Sequence, residues 1–103
     1  MPVDVKADDL AFVLNTLKRE VPERAVWAFG SRVCGTAKPF SDLDLAIIST
    51  EPLSIDTRAN LADAFDESDL PFKVDLVDWA TTPPAFRRII EKNKIVLIDA
   101  ISS

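Results

Sequence analysis

Apolar positions along the chain follow two periods, one helical and one alternating. Over 8–21 (DDLAFVLNTLKREV), Leu10, Val13, Leu14, Leu17 and Val21 recur at helical spacing. Asp8 and Asp9 open that segment and Lys18 and Arg19 close it, the order a helix dipole favours. AVWAFG (25–30) is short, apolar and aromatic, which predicts a buried strand ending at glycine, with Trp27 and Phe29 in the core. SRVCGTAK then fits one helical turn or a compact loop, with Cys34 packed as a small apolar residue. DLDLAII (42–48) and FKVDLVDW (72–79) predict two further strands, and IVLIDAI (95–101) a last short one. Between them, 56–68 predicts a helix with Asp56 as N-cap and Leu61, Ala62 and Phe65 inward. A final helix begins near Thr82 as cap, with Pro83 in its first turn and Phe86, Ile89 and Ile90 on one face. The order helix, strand, strand, helix, strand, helix, strand predicts an α+β fold, a small mixed β-sheet flanked by helices.

The 103 residues are expected to form a single domain, 1–103. No run approaches the ~18 apolar residues of a membrane span, and the N-terminus lacks the apolar core of a signal peptide. With one cysteine, Cys34, the expected setting is the reducing cytoplasm. The absence of histidine excludes Ser-His-Asp and Cys-His catalysis and any histidine-bearing zinc site within this chain. A net charge of −5 disfavours direct binding to nucleic acid or to an anionic membrane. An anionic substrate would need a bound cation.

The chemistry concentrates in FGSRVCGTAKPFSDLDLAII (29–48). Asp42 and Asp44 are two apart on a strand, so they share a face while Leu43 and Leu45 point into the core. Paired carboxylates repel, and a divalent cation relieves the repulsion; Mg²⁺ is typically held by one or two carboxylates plus substrate phosphates. Asp75 or Asp78 of the third strand offers a third acid for a two-metal site. Asp75 is favoured because it lies mid-strand, where an uncompensated charge is hardest to tolerate, whereas Asp78 near the strand end reaches water more easily. Gly30-Ser31 supplies the complementary half: close backbone approach, N–H donors and a hydroxyl for a phosphate. Arg32 and Lys38 lie near that phosphate path, with a solvated side chain as the alternative. Trp79 fits either an exposed edge or a partner contact, and Arg87-Arg88 a wet helix face. Gly30-x4-Gly35 is not a P-loop, because Thr36-Ala37 stand where Lys-Ser/Thr is required. An EF-hand starting at Asp42 fails on Ile47 and Leu53.

Gly30-Ser31, ten residues, then Asp42-x-Asp44, with VDLV downstream, resembles the signature of the DNA polymerase β-type nucleotidyltransferase superfamily, and in particular its minimal (MNT) members. The resemblance implies the nucleotidyltransferase fold and Mg²⁺-dependent transfer of a nucleoside monophosphate to a hydroxyl. It implies that Gly30 and Ser31 contact the triphosphate, that Asp42, Asp44 and Asp75 hold two Mg²⁺, and that Asp75 helps activate the acceptor. It further implies ATP as substrate and a HEPN-type helical toxin as partner, AMP passing to a tyrosine of that toxin in a type VII-like toxin–antitoxin pair. Two alternatives stand beside this: a non-catalytic antitoxin acting by occlusion, and a subunit that modifies a small molecule such as an aminoglycoside.

Overall fold

A computed structural model describes residues 3–99. Helix α1 spans Ala7–Glu20 and strand β1 Ala25–Phe29, followed by one helical turn, α2 (Ser31–Cys34). Strand β2 is Leu43–Ile48, helix α3 Ile55–Asp66 and strand β3 Val74–Asp78. A 3₁₀ turn (Trp79–Thr81) leads to α4 (Pro84–Asn93) and β4 (Ile95–Ile98). Of the expected last strand, residues 100 and 101 lie outside the described residues. The elements and their order agree with the sequence reading.

The four strands form one mixed sheet in the order β3-β2-β1-β4. β1 runs antiparallel to both β2 and β4, while β2 and β3 are parallel. A parallel pair needs a crossover, and α3 provides it. Alternation along each strand then divides the side chains between two layers. On one face Val26, Ala28, Leu43, Leu45 and Ile47 pack with Val13 and Leu17 of α1 and Leu61 and Phe65 of α3. On the other, Phe29 and Ala46 pack with Ile90 of α4, flanked by Trp27, Val77 and Trp79. Asp44 shares its parity with Ala46, and Asp75 with Val77, so both acids belong to this second, more thinly covered face.

Several local expectations are corrected. Ser54, not Asp56, caps α3: its hydroxyl accepts the Thr57 N–H at 3.1 Å. Ala62 is exposed; only Leu61 and Phe65 of α3 are buried. Pro83 occupies the N-cap position of α4 without a side-chain cap, while the Thr82 hydroxyl donates back to the Asp78 carbonyl at 2.7 Å. Of the apolar face of α4, Ile90 is buried, whereas Phe86 packs edge-on against Phe29 and Ile89 is largely exposed. Cys34 is exposed, because the left-handed Gly35 closes α2 with nothing packed outside it. Trp79 is no free edge: it makes an edge-to-face pair with Trp27 at 5.0 Å and lies under the Arg87 guanidinium. Arg87 also donates twice to the Trp79 carbonyl, so of the two arginines only Arg88 is on the wet face.

Candidate active site

Three neighbouring strands bring the site together. Asp44 of β2 pairs in register with Phe29 of β1, the residue before Gly30, and on its other side with Asp75 of β3. Gly30, Asp44 and Asp75 thus stand in a row across the sheet, with Asp42 just ahead of β2.

Gly30 has φ +83° and ψ −158°, backbone that a side chain rarely adopts. There is also no room for one. A Cβ at Gly30 would overlap the Asp44 carboxylate, lying 3.0 Å from its Cγ. The glycine lets the turn and the acid sit in contact. From there the Gly30 carbonyl accepts the N–H groups of Val33 and Cys34, so that α2 starts immediately and the first N–H groups, those of Ser31 and Arg32, have no acceptor within the turn.

Asp44 is half-buried, while Asp42 and Asp75 are exposed. Burial is the main reason that the Asp44 carboxyl rises from 3.8 to about 6; the charges of Asp75 and then Asp42 add to it, as does a hydrogen bond with Asp75. No arginine or lysine relieves this group: among the described residues the one ion pair is Arg19–Glu20, on α1. Nor do three acids there form a ready-made cage for a metal. Two carboxylates on an open sheet end are instead the donor set that suits a hard cation which keeps waters and also binds phosphate oxygens.

The reasoning that favoured Asp75 over Asp78 is inverted by the structure, although Asp75 is the one in register with Asp44. Because β3 is an edge strand and its start lies open, Asp75 faces water. Asp78, at the other end, is only 3% exposed. Its Oδ2 accepts the Leu53 N–H at 2.9 Å and its Oδ1 the Ala80 N–H at 3.3 Å, so it anchors the segment before α3 to the end of β3. Asp78→Ala orphans both donors and is expected to cost about 1–3 kcal/mol in urea unfolding, with the Asp42/Asp44/Asp75 end of the sheet unaltered.

Arg32 is likewise not on a phosphate path. Buried at 6% exposure, it donates to the carbonyls of Asp4, Pro39 and Ser41 at 2.7, 3.1 and 2.9 Å. Lys38 is exposed. Sequence reasoning missed this clamp; an arginine set amid a turn rich in small and proline residues was the one signal for it.

A small mixed sheet, a glycine–serine turn and acids facing it across adjacent strands define a nucleotidyltransferase-type domain. The sequence profile of the family described as polymerase beta, nucleotidyltransferase matches residues 13–101, and the chain belongs to that family. It is 57% identical over 95 residues to a protein of Haemophilus influenzae named probable protein adenylyltransferase MntA, covering 92% of this chain and 83% of that protein. Among solved structures, a crystal structure of a toxin–antitoxin with AMP-PNP superposes with a TM-score of 0.73 at 26% identity, covering 86% of this chain and 72% of that one. The complex of a tri-AMPylated Shewanella oneidensis HEPN toxin with its MNT antitoxin gives a TM-score of 0.62 at 21% identity, over 86% and 68% of the two chains, a likeness of fold alone. No helix among the described residues is long and apolar enough to cross a membrane.

Proposed function

We propose that the chain transfers AMP from ATP to a tyrosine hydroxyl of a HEPN-type toxin and so acts as its antitoxin in the cytoplasm. The observation that carries this is the contact of Asp44 with Gly30 on one side and its register with Asp75 on the other, two acids that, with Asp42 just ahead of β2, make no ion pair among the described residues. The relative named as a protein adenylyltransferase and the toxin–antitoxin with AMP-PNP support the nucleotide, the acceptor class and the partner.

The residues fit Mg²⁺, since hard carboxylate oxygens face one another without a cation; Asp42 and Asp44, joined by Asp75, would hold two ions. Bound Mg²⁺ supplies charge neutralisation of the triphosphate and of the oxygens entering and leaving phosphorus. Gly30 and Ser31 bind the triphosphate through backbone N–H groups and the serine hydroxyl, which orients the α-phosphate toward the acids. Asp75 accepts the proton of the incoming hydroxyl. That oxygen then bonds to the α-phosphorus, and the bond to the bridging oxygen breaks, so that pyrophosphate leaves with the electron pair.

The test is to incubate the chain with α-labelled ATP, Mg²⁺ and a HEPN-type partner protein. An adenylyl group should appear on a tyrosine of the partner and vanish with Tyr→Phe there. Asp75→Asn should slow transfer about 10²–10⁴-fold, the usual contribution of a general base, with ATP still bound. Transfer at the wild-type rate by Asp75→Asn would remove that residue from the mechanism.

A further inference from the structure

Helix α4 packs on the face of the sheet that carries the acids, and its two flanks meet different surroundings. Ile90 is buried beneath it, clustered with Phe29 and Ala46. Arg87 and, seven residues on, Lys94 at the C-cap lie to one side of Ile90. Both turn to the tryptophans: the Arg87 guanidinium lies 5.0 Å from the Trp79 ring centroid and the Lys94 ammonium 3.6 Å from that of Trp27. Trp79 follows the last residue of β3, at the end of the sheet away from the acids. Phe86, Ile89 and Asn93, spaced by three and four, lie to the other side of Ile90. There the Phe86 ring meets Phe29 edge-on, 5.8 Å between centroids, and Phe29 is the register partner of Asp44. That flank is turned toward the acids.

Phe29 is 7% exposed, but Phe86 is 38% exposed and Ile89 58%. A layer of apolar side chains thus ends uncovered beside the acids, on a flank without charge. Three parts of the substrates compete for this wall. A triphosphate gains nothing from it and has the Gly30-Ser31 turn. An acceptor phenol carries its hydroxyl directly on its ring. Asp75 is on β3 and Phe29 on β1, two strands apart, or about 10 Å at the usual spacing. A ring whose hydroxyl reaches Asp75 therefore stays over β3, short of Phe86. The nucleoside remains. In phosphoryl transfer the entering and leaving oxygens lie roughly in line. Here that line runs from the Gly30-Ser31 turn to Asp75, so the nucleoside, on a third oxygen of the α-phosphate, leaves it sideways. The surface beside that line is the flank of α4, and an aromatic ring next to an aliphatic side chain suits a flat neutral base.

We infer that this flank of α4 holds the nucleoside, its base on the ring of Phe86 with Ile89 beside it. This rests on the transferase reading above. Phe86 is a nucleotide-binding residue that takes no part in the bond exchange, and Phe29 supports it from below. An acceptor ring on Phe86 is the competing occupant.

The experiment measures, in Mg²⁺, the Kd of AMP-PNP and of inorganic tripolyphosphate, which lacks the nucleoside. The KM for a HEPN-type partner protein is measured beside them at saturating ATP. Phe86→Leu keeps an apolar contact with Phe29 while removing the aromatic face, so it should fold, which urea unfolding checks. Phe86→Ala and Phe86→Leu should weaken AMP-PNP binding about tenfold, and Phe86→Trp should bind it as wild type does. The tripolyphosphate Kd and the partner KM should be the same in every variant. An AMP-PNP Kd unchanged in Phe86→Ala and Phe86→Leu overturns the inference and leaves the transferase reading intact. An equal loss of tripolyphosphate binding also overturns it, since Phe86 would then act by shaping the turn through Phe29. A raised partner KM with AMP-PNP binding unmoved assigns the wall to the acceptor ring and overturns it too. A wild-type chain that binds no AMP-PNP overturns both readings.

Discussion

Gly30→Ala is expected to slow transfer about 10²-fold while costing only part of the fold's stability. Two effects coincide at this position. A residue with a Cβ must hold φ +83° and ψ −158°, a region that costs about 1–3 kcal/mol for a non-glycine residue. The new methyl group must also occupy space that Asp44 fills, so either the turn or the carboxylate moves. A misplacement of this order at a reacting centre costs about 10²-fold in rate. Gly35 is the internal control. It too has positive φ, +78°, but a Cβ there meets open space, so Gly35→Ala should lose about 1–2 kcal/mol and keep its transfer rate. Urea unfolding and labelled-AMP transfer on the two variants separate backbone strain, common to both, from the collision with Asp44, unique to Gly30.

Asp44→Asn should move stability and activity in opposite directions. Folding raises the Asp44 carboxyl from 3.8 to about 6, so the folded state favours the protonated acid. The group's stabilising contribution is therefore complete below about pH 3.8 and is lost as pH rises through 6. Above pH 6 the metal-free wild type carries the whole penalty of an ionised, half-buried acid beside two others; asparagine carries none of it. Two pH units correspond to about 3 kcal/mol at most, and water at the open sheet end reduces this to about 1 kcal/mol. In chelator, Asp44→Asn should match wild type near pH 4 and exceed it by about 1 kcal/mol at pH 8. Added Mg²⁺ should then stabilise wild type at pH 8 and leave the variant unmoved, because a ligating carboxylate must be ionised. Transfer by the variant should fall at least about 10²-fold. Stability given up at a site that needs charge is a common trade in enzymes.

The part of this site that was legible in the sequence is the part encoded locally. The strand, the glycine–serine turn and the alternation of Asp42-Leu43-Asp44-Leu45 each lie within a few residues, and the period of a strand alone assigns the acids and leucines to opposite faces. What could not be read depended on residues far apart in the chain. The carboxylate of Asp78 is committed to the Leu53 N–H, 25 residues away, and the guanidinium of Arg32 to a carbonyl 28 residues upstream. Nothing near either residue announces such a partner. The exposure of Asp75 depends on β3 being an edge strand, and that follows only from the order β3-β2-β1-β4. The helix caps failed for a smaller reason: Ser54 and Asp56 both suit the role, and the phrase of the chain that leads into α3 chose between them.

The central claim is that the acids perform the transfer, and the double variant Asp42→Asn plus Asp44→Asn tests it most directly. Partner toxin, ATP and Mg²⁺ are supplied, and both labelled-AMP incorporation and neutralisation of the toxin are measured. Loss of incorporation by about 10³-fold or more, with loss of neutralisation while the two proteins still associate, is the predicted result. Full neutralisation by a double variant that transfers no AMP would contradict it, since the toxin would then be silenced by occlusion alone.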